Sequence, residues 1–106
     1  MISLYAEKML NIICNDTLEA RLVCMFKKYG VSGYTIVSAR GEGSSGQLSD
    51  MSGFNENIVV KAILPESRMQ VILESIERKI NKGHHLTVYI TDVQVITPNK
   101  FNQSIG

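Results

Sequence analysis

Gly33-Tyr34-Thr35-Ile36-Val37-Ser38-Ala39-Arg40-Gly41-Glu42-Gly43-Ser44-Ser45-Gly46 begins as a strand and ends as a loop. Tyr34 to Ala39 is rich in aromatic and β-branched residues, which suit a pleated surface. Arg40 then introduces three glycines within six residues. Glycine lets backbone approach a ligand closely, and successive N–H groups in such turns form concave anion sites. The arginine beside them adds a planar fork suited to phosphate or carboxylate. Taken alone, a Gly/Ser run also describes a solvated surface loop, so the flanking elements decide its meaning.

Upstream, Met9, Leu10, Ile12 and Ile13 form a short apolar run that fits a strand buried on both faces, after a weakly patterned, partly mobile start at residues 1–7. Asn15-Asp16-Thr17 offers helix caps, and Asp16 with Glu19 resembles a capping box. Leu18, Leu22, Met25, Phe26 and Tyr29 keep helical spacing, Lys27 and Lys28 suit the last turn, and Gly30 stops the helix. Strand two runs from Gly33 to about Arg40. Residues 41–56 have no period, and an unstructured loop of that length in a small domain is usually functional or disordered.

Downstream, Asn57 to Leu64 reads as strand three and Pro65 as the start of a second helix. Met69, Ile72, Leu73, Ile76 and Ile80 form its apolar face, Glu74 and Arg78 an outer ion pair, and Gly83 its end. Leu86, Val88 and Ile90 alternate with Thr87, Tyr89 and Thr91, and the slip to Val93 and Val95 predicts a bulge near Asp92. The order β-α-β-β-α-β with two crossovers predicts an α+β, ferredoxin-like domain with an antiparallel sheet. A single domain over 1–106 is expected, with an ordered core at about 8–96 and a polar tail at 99–106. Both helices cover one side of the sheet, so the other, largely apolar side predicts an oligomer.

Composition narrows the function classes. With 44% hydrophobic and 20% charged residues the chain should fold on its own core. A formal net charge of +1 argues against nucleic acid as a partner. No apolar run spans a bilayer and residues 1–15 lack a signal-peptide pattern, which predicts a cytoplasmic protein. Cys14 and Cys24 read as two buried thiols.

His84 and His85 are neighbours, and neighbours on a strand point to opposite faces, so one metal shared between them is disfavoured. Asp50, Glu42 and Glu56 lie in or beside the long loop without a readable pairing. No Ser-His-Asp, nucleophile-elbow, zincin, P-loop or Rossmann pattern is present, so no enzyme is predicted and a ligand-binding module remains.

Gly33-Tyr34-Thr35-Ile36-Val37 followed by Arg40-Gly41-Glu42-Gly43 resembles the PII superfamily of signalling proteins, whose strand two and T-loop base have this spacing. Gly41 to Ser44 with Val88-Tyr89-Ile90 is closer to the PII-like branch, which includes bicarbonate-transporter regulators and carboxysome-associated relatives. The resemblance implies a homotrimer that binds an adenine nucleotide (AMP, ADP, ATP or cyclic AMP) in clefts between subunits. It implies that the T-loop docks onto a membrane transporter or an enzyme, recruiting a cytoplasmic protein to the membrane in the first case. By position, Thr35 would hold the adenine, Gly41 and Gly43 would bring amides to the phosphates, Arg40 replaces the family's lysine, and Ser44 and Ser45 follow.

The departures from the nitrogen regulators also count. Asn81-Lys82-Gly83-His84-His85 replaces a glycine- and lysine-rich B-loop, residues 95–98 hold no arginine, and no tyrosine lies within 41–57. These changes point away from triphosphate with 2-oxoglutarate and towards a mono- or diphosphate, a cyclic nucleotide or a small anion such as bicarbonate. Lys82 and His84, with Arg68 and Lys61, are the remaining cation candidates. The alternative reading is a trimeric metal-binding protein of the copper-tolerance type on the same fold, motivated by His84, His85 and the cysteines.

Overall fold

The protein is described here from a computed structural model covering residues 2–31, 33–41 and 56–96. Its elements are β1 (Tyr5–Asn15), a single 3₁₀ turn (Asp16–Leu18), α1 (Glu19–Lys28), β2 (Thr35–Ala39), β3 (Asn57–Leu64), α2 (Glu66–Asn81) and β4 (Thr87–Val95). The sheet order is β2-β3-β1-β4 and every neighbouring pair is antiparallel. This is the ferredoxin-like arrangement expected from the order of elements.

β1 is longer than its apolar run. Tyr5–Glu7, expected to be weakly structured, pairs with Val93–Val95. Its strand character comes from hydrogen bonds to a partner far away in sequence, which local composition does not announce. The bulge expected near Asp92 is absent: the register is unbroken from Tyr5 opposite Val95 to Ile13 opposite Thr87. The alternation slips because the strand outruns its helical cover. Val88 and Ile90 sit opposite the core residues Ile12 and Leu10, yet Ile90 is already 43% exposed, and Val93 and Val95 lie on the opposite face.

Period-two alternation sends Leu10, Ile12 and Cys14 of β1 to the helical side, with Ile58, Val60, Ala62 and Leu64 of β3. Leu22, Met25 and Phe26 of α1 and Met69, Ile72 and Ile76 of α2 close over them. The Tyr34 ring stacks on Phe26 with centroids 5.4 Å apart, which ties the entry of β2 to α1. On the other face the row Val37–Val59–Ile13–Thr87 has no helix over it among the described residues, and Val37 is 43% exposed. Asn11 on that side is nevertheless buried. Its Nδ2 donates to the Thr91 hydroxyl oxygen (3.2 Å) and to the Met9 carbonyl (3.2 Å).

Several local details differ from the sequence reading. Asn15, not Asp16, caps the first helical turn, its Oδ1 accepting from the Thr17 amide at 3.0 Å. Pro65 is the extended residue before α2 rather than its first turn. Glu74 accepts from Gln70 Nε2 (3.2 Å), while Arg78 Nη2 donates to the Tyr29 hydroxyl (3.4 Å), so the expected Glu74–Arg78 pair does not form among the described residues. Gly30 (φ 73°) and Gly83 (φ 102°) end the two helices in the left-handed region that a Cβ disfavours. Cys14 is fully buried but Cys24 is exposed, because Cys24 borders the open groove between α1 and α2 instead of the core.

Phe26→Ala should lower unfolding free energy by about 3–5 kcal/mol in denaturant titrations, since the ring is fully buried against both layers. A thiol reagent should label Cys24 in the native protein and Cys14 only after unfolding. Burial pushes the Cys14 thiol up from 9.0 to about 11. The unfolded chain therefore loses this proton first, and stability should fall as pH rises between those two values. Cys14→Ala, although less stable overall, should lack that component of the pH dependence.

Candidate functional site

The long connection leaves the sheet at Arg40 and Gly41 and returns at Glu56 and Asn57. Ala39 pairs with Asn57 in the last rung of the β2–β3 ladder, so the two arms are held side by side at one end of the sheet. Ser38, Ala39, Arg40, Gly41, Glu56 and Asn57 line a depression of about 700 Å³. Arg40 is exposed there and Glu56 supplies a carboxylate on the same rim. The Glu56 carbonyl accepts from the Asp16 amide at 2.7 Å, which anchors the returning arm to the start of the first helix. A Cβ at Gly41 would meet nothing within 4 Å among the described residues, so their packing does not demand glycine at this point.

Thr35 lies at the other end of β2, directly across from Lys61 on β3. Both side chains are exposed, and with Gly33, Tyr34, Met9 and Ile63 they border a second depression of about 360 Å³. Lys61, one of the cation candidates, is thus brought beside Thr35. At roughly 3.4 Å per residue, the six steps from Thr35 to Gly41 span about 20 Å. That is longer than the reach of a nucleoside diphosphate from base to terminal phosphate. The two ends of the expected site are therefore held apart within one chain.

Lys82 and His84 join neither depression. They follow α2 and line the groove between the two helices, together with Arg21 of α1. His84 Nε2 is 2.9 Å from Arg21 Nη1. A guanidinium only donates, so in this contact the ring nitrogen is the acceptor. β4, which the Lys82–His84 turn enters, is the sheet edge opposite β2, about 14 Å away at the usual strand spacing. Arg68 stays half-buried at the start of α2. Gly43, Ser44 and Ser45, like Glu42 and Asp50, lie outside the described residues.

The metal reading finds no cluster of three His, Cys, Asp or Glu groups among the described residues. His84 is engaged by Arg21, and Cys14 is sealed in the core. Among the described residues no helix is long and apolar enough to cross a membrane. Sequence reasoning missed Arg21, Lys79 and Arg78 as members of a common groove. Their only advance signal was a basic residue on each helix flanking the apolar stripe, a pattern also common on solvated faces.

Comparison with known proteins agrees with this architecture. The profile of the nitrogen regulatory protein P-II family matches residues 7–100. A search of curated proteins returned no match. Among solved structures, CPII of Thiomonas intermedia K12 bound to ADP and bicarbonate is 31% identical, with a TM-score of 0.81, over 95% of this chain and 99% of that one. CPII bound to ADP, AMP and acetate is 30% identical with a TM-score of 0.80, over 94% and 98% of the two chains. A PII-like signalling protein from Thermus thermophilus is 31% identical with a TM-score of 0.76, over 94% and 99%. A strand running into an arginine–glycine mouth, an antiparallel β2-β3-β1-β4 sheet under two helices and a profile match over nearly the whole length lead to one conclusion: the chain belongs to the P-II nitrogen regulatory protein family, in its PII-like branch.

Proposed function

We propose that this protein is a PII-like regulator that binds an adenine nucleotide, together with a small anion such as bicarbonate, at the mouth of the loop between β2 and β3. The observation that carries the reading is the Arg40-Gly41 exit beside a roomy depression, in a chain 31% identical to a protein whose structure holds ADP and bicarbonate. Arg40 supplies a bidentate cation and Gly41 an unobstructed amide for phosphate or bicarbonate oxygens. Gly43, Ser44 and Ser45 continue that anion-facing run. Thr35 and Lys61 receive the adenine end.

Because Thr35 and Gly41 stand at opposite ends of β2, one nucleotide draws on two copies of the chain. A homotrimer in which the Thr35 end of one subunit meets the Arg40 end of the next satisfies this. A closed ring of heterologous contacts brings different parts of the same strand together in that way. The uncovered sheet face with Val37, Val59 and Ile13 gives such an assembly apolar surface to bury. The 41–56 connection then reports occupancy: a nucleotide that pairs with Arg40 and the loop amides favours the loop conformations it binds best, and only by its differential affinity for them. The reading ends in control of a membrane transporter or an enzyme through that loop, by a protein without a catalytic role of its own.

Calorimetric titration with ADP and AMP, each with and without bicarbonate, tests the central claim; heat from none of them would remove it. Arg40→Ala should weaken ADP binding by about tenfold or more, the equivalent of one lost charge-assisted hydrogen bond. Gly41→Ala should leave thermal stability unchanged, since none of the described residues lies within 4 Å of its Cβ, yet reduce ADP affinity. Thr35→Arg and Arg40→Ala proteins should each lack tight ADP binding, whereas their co-assembled mixture should regain part of it. A mixture as inactive as its parents would show that one chain provides both ends.

A further inference from the structure

Among the described residues a cluster of cations lies away from the loop mouth, in the groove between α1 and α2. Five of the eleven lysine and arginine residues, Arg21, Lys28, Arg78, Lys79 and Lys82, line it together with His84, and no aspartate or glutamate does. The whole chain carries a net charge of only +1, so the groove does not simply sample a basic surface. The two walls contribute differently. From α1 come Arg21, one turn before the buried Met25, and Lys28, whose ammonium sits over the Tyr29 ring, 5.5 Å from its centroid. From α2 come Arg78, donating to the Tyr29 hydroxyl, and Lys79, whose ammonium donates to the Ser75 hydroxyl at 3.3 Å.

Ser75 is itself buried, so the Lys79 ammonium is drawn down between the helices rather than out into water. Burial holds its pKa below the ordinary lysine value, and the neighbouring Arg78, Lys82 and Arg21 act in the same direction against an opposing contribution from Tyr29. At the end of the groove His84 accepts from Arg21, which puts an acceptor among cations and fixes the guanidinium across the gap. Converging like charges raise one another's energy, and a bound anion relieves this.

The groove measures about 560 Å³, inside the usual range for small-ligand sites. It lies between the two helices, and its lining includes the apolar surfaces of Ala20, Met25 and Tyr29. The cations come from both walls, Arg21 and Lys28 from α1 and Arg78, Lys79 and Lys82 from α2 and its end, which suits a compact polyanion touching both helices better than a membrane surface or an extended acidic strand. Five cations exceed what one carboxylate can pair. We propose that the α1–α2 groove is a second anion site, independent of the β2 mouth, that takes a compact phosphate compound carrying two or more negative charges. The proposal does not rest on nucleotide binding at Arg40, because Arg40 follows the edge strand β2, lines a different depression and does not line this groove.

Inorganic pyrophosphate is the probe. Calorimetry on the full chain should give saturable binding, with amide shifts concentrated at Arg21, Lys79 and His84. The double variant Arg21→Gln with Arg78→Gln should weaken it by about tenfold or more, as loss of two charge-assisted contacts requires. Both side chains are exposed, so the fold should persist, and Lys28→Gln with Lys82→Gln repeats the measurement without touching the Arg21–His84 contact. Arg40→Ala should keep pyrophosphate binding within about threefold while weakening ADP. The proposal is overturned if the wild-type protein does not bind pyrophosphate, if neither double variant weakens it, or if Arg40→Ala alone abolishes it. In the last case the anion sits at the β2 mouth, and the nucleotide reading stands while this one falls.

Discussion

The central strand places everything else. β1 is hydrogen-bonded on both sides, to β3 through Lys8–Asn15 and to β4 through Tyr5–Ile13, and both partners run antiparallel to it. An antiparallel ladder with one face buried tolerates no slip of a single residue, because a slip would turn Leu10, Ile12 and Cys14 away from the helices. With that register held, β2 becomes an edge strand on one side and β4 an edge strand on the other. The loop mouth at Arg40 and the turn at Lys82–His84 therefore sit at opposite edges of the molecule.

This separation divides the cations into two groups with different surroundings. Arg40 shares its depression with Glu56 and the glycine exit of the strand, an open and adaptable setting. The helix groove holds its cations between two packed walls, with Lys79 tethered to a buried serine and His84 clamped by Arg21. The first setting suits a ligand whose binding reorganises a loop. The second suits a ligand that meets a rigid surface, since both helices are pinned by Phe26, Ile72 and Ile76 in the core.

The open sheet face raises a related point. Asn11 is buried there and holds the Thr91 hydroxyl oxygen, while Lys61 stands exposed in the same row between Thr35 and Asn11. A face that is part apolar and part polar is better matched to a specific neighbour than to indiscriminate association. The distance along β2 between Thr35 and Gly41 makes the same demand from the side of the ligand. Packing and ligand reach thus argue for one assembly from separate starting points.

Much of the fold was legible in the residues. The bounds of β3, the apolar faces of both helices, and the glycines that end them follow from period, propensity and steric rules that act over a few residues. The core of β2 and its end just before Arg40-Gly41 were legible too, because a β-branched run broken by an arginine and a glycine is a local pattern. What the chain could not announce locally depended on partners distant in sequence. Tyr5–Glu7 became strand only through Val93–Val95, Asn15 displaced Asp16 as the cap once β1 reached that far, and Cys24 stayed exposed because it borders the groove between the helices instead of the core. The candidate site divides along the same line. Sequence alone determined that Thr35, Arg40 and Gly41 share a strand and its exit; only the tertiary structure decided that Lys82 and His84 join Arg21 and Lys79 instead, because which cations meet depends on how two helices pack over a sheet, not on their order in the chain.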